Sequence, residues 1–334
     1  MSIAGPYTSK EAMSLASGTQ FWGKFIIADK NQRKTRNGRE LINLRLADST
    51  GSLEVVVWDN CQVQGDLQKG AVVGMQGDAS LYNNRQQITA RRIKVLTEED
   101  PTAYLQTTAI PREVLVGELQ QMVQSIADPH IALLLQTILT PECITKFSYT
   151  PAAKRIHHNY TGGLLEHTVQ VARLCQAAAQ MYPGLNRDLL LAGAILHDIG
   201  KMEEYEMQVM PEYTVEGKLL GHIVIGYQRL DQAISKLRQS GAVFPEMLEN
   251  MIKHLILSHH GSLEFGSPVK PLFPEAFILH VMDNLDAKMF VFFEKITQNN
   301  LQEYLTPYDT FHQQQFFTYR YEGSDYTDPT GGAG

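Results

Sequence analysis

The pattern of apolar residues changes near residues 100–112, and this change restricts the possible folds more than any other feature of the sequence. Before it, short β-type runs are separated by turn residues; after it, apolar residues recur at the three- and four-residue spacing of helices. The chain has 334 residues, 43% of them hydrophobic, which is enough for two buried cores. The sequence therefore predicts a multidomain protein with a small all-β domain (1–100), a linker (101–112), an all-α domain (113–305) and a tail (306–334) whose end we expect to be disordered.

The first domain contains five strand-like runs, separated by turns such as Thr50-Gly51. Their sequences are FWGKFIIA, ELINLRLAD, SLEVVVWD, AVVGMQGDASLY and QQITARRIKVL. Closing five short strands into a barrel leaves few exposed sheet edges. We therefore predict a five-stranded barrel.

Positive charge is concentrated in this first domain. Residues 1–100 hold 13 Lys and Arg against 11 Asp and Glu, a net charge of +2, whereas the other 234 residues hold 16 against 25, a net charge of −9. Such a local cluster attracts anions, although a cationic loop is often no more than a solvated one. Five of the cations fall within ten residues, in the expected loop between the first two strands: Lys30, Arg33, Lys34, Arg36 and Arg39.

The barrel resembles an OB-fold of the nucleic-acid-binding kind, in particular through LADSTGSLEVVVWD at Leu46 to Asp59. The resemblance implies that the cationic loop flanks a groove for single-stranded nucleic acid, together with Arg85, Arg91 and Arg92 of the last hairpin. The alternative for each aromatic side chain is a place in the barrel core. The candidates for base stacking are Phe21, Trp22, Trp58 and Tyr82.

Three segments of the all-α domain carry metal-ligand residue types in helical surroundings. They are GGLLEHTVQVA with His167, AGAILHDIGK with His197 and Asp198, and HVMDNLDAK with Asp283. Imidazole and carboxylate groups bind a divalent cation that keeps open positions for water and phosphate oxygens, and helices can direct such groups into a bundle interior. A single histidine on an apolar helix face would more often be an ordinary core residue.

In this order and context the pattern resembles the HD-domain phosphohydrolase superfamily, over roughly residues 150–300. Three further histidines, His222, His259 and His260, fit those members that hold two metal ions. The resemblance implies that Asp198 is catalytic and bridges the ions, which lie about 3.5–4 Å apart in such sites and activate a hydroxide. It further assigns His167, His197 and Asp283 to one ion and His222, His259 and His260 to the other.

Other residues near these motifs are candidates for contact with substrate phosphate. Lys201, directly after the His197-Asp198 pair, is a candidate catalytic residue that places its ammonium on phosphate; its alternative role is that of a cation at a helix C-terminus. Upstream of His167, the segment KRIHHNYTGGLLEH supplies Arg155, His157 and His158. His280, one helical turn before Asp283, can support a ligand.

An OB-fold ahead of an HD domain resembles the layout of the YhaM-type 3′-to-5′ exoribonucleases, over nearly the whole chain. The resemblance implies a hydrolase that degrades single-stranded RNA, with ssDNA as a further substrate, while polarity and RNA preference do not follow from the residues themselves. Mn²⁺ is the first expected metal, with Fe, Co or Ni as alternatives, because mixed His and carboxylate sites accept all four. The alternatives are a phosphodiesterase or nucleotidase for a small cyclic nucleotide, and a nucleic-acid-binding module with a structural HD domain.

The remaining signals concern location and partners. The three cysteines, Cys61, Cys143 and Cys175, are odd in number and form no C-x-x-C pair, so a reducing cytoplasm is expected. The most apolar stretch, 276–293, contains several charged residues, so no membrane span is expected. The sequence leaves open whether the chain forms a homo-oligomer.

Overall fold

The computed structural model describes residues 3–34, 38, 40–82, 85–108, 110–153, 160–207, 211–298, 304–309 and 312–319. The chain divides into two compact units, Met1–Thr107 and Thr108–Gly334. The boundary between them lies inside the segment 101–112 that the sequence analysis assigned to a linker.

The first unit is a closed barrel with the strand order β1-β2-β3-β5-β4, which confirms the predicted five-stranded all-β domain. A short helix, α1, precedes it and was not predicted; Thr8 and Glu11 cap each other at its start. The elements are α1 (Ser9–Met13), β1 (Gln20–Lys34), β2 (Glu40–Asp48), β3 (Gly51–Gln64), β4 (Val72–Tyr82) and β5 (Arg85–Val95). A 3₁₀ turn at Pro101–Tyr104 follows the barrel.

The strand β1 continues beyond the apolar run that identified it. Arg33 pairs with Leu41 and Lys34 with Glu40, so these cations lie on β1 and not in a loop as expected. The reason is that the distal half of β1 is polar on both faces, so no alternation of apolar residues marked it as strand. Lys30 belongs to the same extension and pairs with Leu44.

Of the three proposed stacking residues whose side chains are described, one lies in the barrel core. Phe21 is fully buried, so the expectation that it offers a stacking face is wrong. Trp58, by contrast, has 37% of its surface exposed, and Trp22 is half-buried. The side chain of Tyr82 lies outside the described residues.

The second unit is a helical bundle, which confirms the predicted fold class. Several helices start at predicted breaks: Asp128 caps α3 by accepting hydrogen bonds from the backbone N–H groups of His130 and Ile131, and Thr140 caps α4. The helices are α2 (Arg112–Gln124), α3 (Pro129–Ile138), α4 (Pro141–Phe147), α5 (Gly163–Met181), α6 (Arg187–Leu196), α7 (Lys201–Glu204), α8 (Val215–Gln239), α9 (Glu246–Ser258) and α10 (Pro274–Gln298).

The helices of this unit share one apolar core in which α6 is the most deeply buried element. Every residue from Leu189 to Leu196 is buried. A helix that is apolar on all sides is stable only inside a larger core, so the C-terminal end of α6 also lies in the interior. A two-stranded hairpin, β6 (Tyr205–Met207) and β7 (Pro211–Tyr213), follows α7 and was not predicted. None of the described helices is long and apolar enough to cross a membrane.

Candidate metal centre and nucleic-acid surface

The structure brings all seven proposed metal ligands together in two adjoining groups. One group contains His167, His197 and Asp283, and the other contains Asp198, His222, His259 and His260. Within each group, one ligand atom per residue lies within 4.8 Å of the others. The elements that supply them are α5 for His167, the end of α6 for His197 and Asp198, α8 for His222, the end of α9 for His259 and His260, and α10 for Asp283.

Two glycines allow this convergence. Gly200 follows the His197-Asp198 pair, and a Cβ there would lie 2.1 Å from the carbonyl oxygen of His222, so only glycine permits the two segments to approach. Gly221 has φ 73° and ψ 157°, which interrupts α8 directly before His222. Because L-residues with a side chain rarely adopt that positive φ, glycine is required for the interruption that aims His222 at the centre.

The carboxylate of Asp198 faces both groups, one oxygen toward each. Its Oδ2 lies 3.3 Å from Nε2 of His197 and 3.6 Å from Nε2 of His167. Its Oδ1 lies 3.4 Å from Nε2 of His222 and 3.6 Å from Nε2 of His259. Asp198 is therefore the residue placed to share its charge between the two groups.

The orientation of several histidine rings is fixed by hydrogen bonds from their outer nitrogen, the Nδ1 atom that points away from the centre. The Nδ1–H groups of His197, His259 and His260 donate to the backbone carbonyl oxygens of Ala194, Ile256 and Phe265, at 2.8, 2.7 and 2.7 Å. With Nδ1 as the donor, the lone pair of the ring lies on Nε2, which is the ligand atom that points inward. His280 supports this arrangement, because its Nδ1–H donates to the carbonyl oxygen of His259 at 2.8 Å.

Several inward atoms make no hydrogen bond within the described residues. They are Oδ1 of Asp198, Nε2 of His222 and Nε2 of His259, all buried. In addition, Nε2 of His197 and Nε2 of His167 face each other at 3.2 Å. Buried polar atoms without partners are costly, and a cation placed among these atoms would relieve that cost. This donor set of imidazoles and carboxylates fits divalent transition metals.

The electrostatics of the centre keep the carboxylates ionised. Burial alone would raise the pKa of Asp198, but the charge of Lys201 and the contact with His197 hold it well below the usual range. Burial is likewise outweighed at Asp283, where the hydrogen bond from His167 lowers the pKa. Both residues therefore carry the negative charge that a metal ligand needs.

The pKa values of three ligand histidines, His260, His259 and His167, are shifted, and they are shifted in two directions. Burial and the neighbouring His259 and His222 lower the pKa of His260 to about 3, and burial also lowers the pKa of His259. These two rings are neutral at physiological pH. Burial would lower the pKa of His167 as well, but hydrogen bonds to Asp283 and Asp286 raise it to about 10, so His167 must lose a proton before it can act as a ligand.

Two further residues at the centre were not singled out from the sequence. Asp286 accepts a hydrogen bond from Nδ1–H of His167 at 2.6 Å. Glu204 lies 3.3 Å from Nδ1 of His222. The position of Asp286, three residues after Asp283 on the same helix, was a usable signal because such residues share a helix face. Glu204 had none, because it stands beside Glu203 in an ordinary acidic pair.

Of the residues proposed to contact substrate phosphate, only Lys201 lies among the described residues. Lys201 is buried, and its Nζ lies 2.7 Å from Oδ2 of Asp198, so its nearest anion is a protein carboxylate. Arg155, His157 and His158 lie outside the described residues.

The cationic candidates of the barrel are in part exposed and in part already paired. Arg33 and Lys34 are exposed and Lys30 is half-exposed. Arg91 forms an ion pair with Asp78, and the Nε–H of Arg92 donates to Oε1 of Gln62 at 2.9 Å. Outside the described residues lie Arg36, Arg39 and the side chain of Arg85.

One row of residues across the barrel combines charge with an aromatic ring. Arg33 pairs in register with Leu41 of β2, and Leu41 pairs with Trp58 of β3. Residues directly opposite one another on neighbouring strands project from the same face. Since Trp58 and Arg33 are both exposed, this row offers a ring and a cation to solvent.

Two family profiles match the chain, one in each unit. An OB-fold nucleic acid binding domain matches residues 26–96, and an HD domain matches residues 164–288, which include all seven proposed ligands.

Full-length relatives match as well. The 3'-5' exoribonuclease YhaM of Bacillus velezensis is 37% identical over 278 residues, which cover 82% of this chain and 87% of that protein. The 3'-5' exoribonuclease YhaM of Bacillus subtilis is 37% identical over 276 residues, which cover 81% and 86%. Among solved structures, the match to the second OB-fold domain of replication protein A from Methanococcus maripaludis is 18% identical and covers 28% of this chain and 97% of that domain, with a TM-score of 0.22.

Proposed function

This chain belongs to the family of the 3'-5' exoribonuclease YhaM, and on that premise we propose that it hydrolyses single-stranded RNA from the 3′ end with the help of divalent metal ions. The observation that carries the proposal is the position of Asp198, whose two carboxylate oxygens face two separate groups of ligand atoms. Two cations on either side of one bridging carboxylate can stabilise both the attacking and the leaving oxygen in phosphodiester hydrolysis.

The two groups of ligand atoms described above support the ligand sets of this proposal. His167, His197 and Asp283 would hold one ion, His222, His259 and His260 would hold the other, and Asp198 would serve both. Mn²⁺ is our first choice of metal, because mixed imidazole and carboxylate sites accept it readily and exclude little. When bound, such ions supply Lewis acidity toward phosphate oxygens and draw a nucleophile from water at neutral pH.

The residues of the chain hold and orient this chemistry. Lys201 fixes the carboxylate of Asp198 through its 2.7 Å contact, which keeps one oxygen directed at each ligand group. The buried helix ends around the centre keep the imidazoles at fixed angles, so little reorganisation is needed during the reaction. A direct contact of Lys201, Arg155, His157 or His158 with substrate phosphate stays a prediction.

The barrel, in this proposal, binds the single strand. Trp58 offers a face on which a base can stack, and Arg33 and Lys34 offer charge to the backbone phosphates. Binding by a tethered module raises the concentration of RNA near the metal centre without changing the transition state. The barrel should therefore matter for long RNA and not for small diesters.

The test is an assay with the purified full-length protein and Mn²⁺, with and without a chelator. We expect RNA labelled at its 5′ end to give a ladder that shortens gradually, and RNA labelled at its 3′ end to release labelled mononucleotide at once. The matched DNA, duplex RNA and a cyclic dinucleotide serve as competing substrates. Early release of label from the 5′ end would contradict the polarity, and hydrolysis of the cyclic dinucleotide alone would contradict the RNA substrate.

A further inference from the structure

Two of the histidines in the metal centre differ from the others in what holds their outer nitrogen. The Nδ1 atoms of His197, His259 and His260 donate to backbone carbonyl oxygens. Those of His167 and His222 face side-chain carboxylates instead. One such histidine belongs to each ligand group.

Glu204 is the carboxylate at His222, and it makes two contacts with that residue. Its Oε1 lies 3.1 Å from the backbone N of His222 and 3.3 Å from Nδ1 of the ring. The first contact is typical of the start of a helix, because the non-helical φ and ψ of Gly221 directly precede His222. Glu204 therefore caps the segment that starts at His222 and orients the ring of the same residue.

The position of Glu204 is fixed by its surroundings. The side chain is buried, with 6% of the residue exposed. Its carbonyl oxygen accepts a hydrogen bond from the backbone N–H of Thr214 at 3.0 Å, which ties the end of α7 to the residue that precedes α8. A buried carboxylate is costly unless it is compensated, and the hydrogen bond from the backbone N–H of His222 supplies part of that compensation.

Asp286 is the counterpart in the other group. Its Oδ2 lies 2.6 Å from Nδ1 of His167, and both residues are buried. It stands on α10 three residues beyond the ligand Asp283, so one helix supplies a ligand and the carboxylate that orients a second ligand.

From this arrangement we propose that Glu204 and Asp286 are positioning residues, each of which sets the cation affinity of one ligand group by acting through one histidine. The inference rests on the proposed metal centre and adds that the two ions can be lost separately. A carboxylate that accepts from Nδ1–H fixes the tautomer, aims Nε2 and makes it a stronger donor. Removing such a partner weakens metal binding about 10- to 100-fold.

The test is a titration of the full-length protein with Mn²⁺, by calorimetry and by metal analysis after dialysis at fixed free metal. The variants are E204Q, D286N and, as a matched control, E203Q. Glu203 is the sequence neighbour of Glu204, but its carboxylate pairs with Arg229 at 2.7 Å and Lys146 at 3.3 Å and not with a proposed ligand. We expect the wild type and E203Q to hold two ions, and E204Q and D286N each to hold one of them about 10- to 100-fold more weakly.

A second measurement shows whether each carboxylate acts through its histidine. In an H222A background, E204Q should cause no further loss of metal affinity, whereas D286N should still lower it. In an H167A background, D286N should cause no further loss, whereas E204Q should still lower the affinity. A purely structural role would lower the affinity for both ions together or add to the loss in either background. Circular dichroism and thermal melting in chelator report folding. If E204Q does not fold, E204D takes its place and should bind one ion more weakly, because its carboxylate ends one methylene short of the ring.

The results separate this inference from the proposed function. A wild-type protein that binds no divalent cation would overturn the metal centre itself. A wild type with two ions, together with E204Q or E204D and D286N variants that bind both ions with unchanged affinity, would overturn the positioning role alone. Additive losses in the histidine backgrounds would overturn it as well.

Discussion

The helical unit buries its candidate functional residues, whereas the barrel leaves its own at the surface. His167, His197, Asp198 and His259 are buried, and their ligand atoms point at one another. Arg33 and Lys34 of the barrel are exposed and extend from one strand. Buried polar atoms must find partners, so their arrangement is informative about function, while exposed cations are satisfied by water wherever they lie. The proposed metal centre and the proposed RNA-binding surface of the barrel therefore need different tests.

The largest effect is expected from the buried centre. The substitution D198N keeps the shape of the side chain but removes the charge shared by the two ligand groups. Hydrolysis of RNA should fall by more than about 10³-fold, beyond the roughly 100-fold upper range for residues that only support ligands. RNA binding, measured by fluorescence anisotropy in chelator, should stay within about twofold of wild type, because it depends on the barrel.

One matched variant controls this experiment. E203Q should leave hydrolysis unchanged, since Glu203 pairs with Arg229 and Lys146. A folded D198N protein that retains substantial activity would contradict the bridging role of Asp198. A D198N protein that also loses RNA binding would contradict the proposal that the barrel binds RNA and the helical unit hydrolyses it.

The contrast between the two regions also explains how much the sequence could predict. Strand and helix content followed from apolar periodicity, a pattern that folding must respect. The proposed ligands His167, His197, Asp198 and Asp283 followed from histidines and aspartates in an ordered helical context. The three remaining proposed ligands followed from the resemblance to the HD-domain superfamily; they are His222, His259 and His260. Glu204 and the hairpin of β6 and β7 escaped prediction because both depend on how α7 packs against α8, which no local pattern records. The polar extension of β1 escaped because a strand with two solvated faces has no apolar alternation.

Trp58 offers the sharpest test of the barrel surface. The substitution W58A should weaken the binding of single-stranded RNA by about 1–3 kcal/mol, because a stacked base loses its platform. W58F, which keeps a ring, should recover much of this loss. Fluorescence anisotropy in chelator measures the affinities without hydrolysis, and the rate on bis-p-nitrophenyl phosphate should stay at the wild-type value. Unchanged RNA affinity in W58A would leave Trp58 as a surface residue without a part in binding.

Arg33 and Lys34 at the end of β1, together with Arg36 two residues later in the sequence, should contribute a smaller, salt-dependent share of the RNA affinity. Replacing Arg33, Lys34 and Arg36 together by Gln should lower the magnitude of the slope of log K against log salt by about 2, since each lost phosphate contact on a single strand removes roughly 0.7. K24Q is the matched control, because Lys24 is engaged with Glu99 at 2.6 Å. An unchanged slope in the triple variant would exclude this surface from the binding path.

The smallest effect is expected from pH, which should change the stability of one unit and not of the other. The two units can be followed separately because they contain different residue types. All eleven histidines lie beyond residue 107, whereas both tryptophans lie in the barrel. Burial lowers the pKa of His254, His259 and His260 below their value of about 6.5 in an unfolded chain, while hydrogen bonds to Asp283 and Asp286 raise that of His167. Acidification should therefore affect the stability of the helical unit and not that of the barrel.

The sign follows from proton binding. As the pH falls from about 7.5 to about 5.5, the unfolded chain binds protons at His254, His259 and His260 more readily than the folded chain does, so folding becomes less favourable. His167 is protonated in the folded chain throughout this range and acts in the opposite direction. Because the pKa is lowered at three histidines and raised at one, we expect the helical unit to lose stability on acidification. In chelator, the urea midpoint followed by circular dichroism at 222 nm should fall, while the midpoint followed by tryptophan fluorescence should not move. H254Q, which removes one titrating group, should lessen the shift. A dichroism midpoint that rises on acidification, or a fluorescence midpoint that falls with it, would contradict this assignment of the titrating groups.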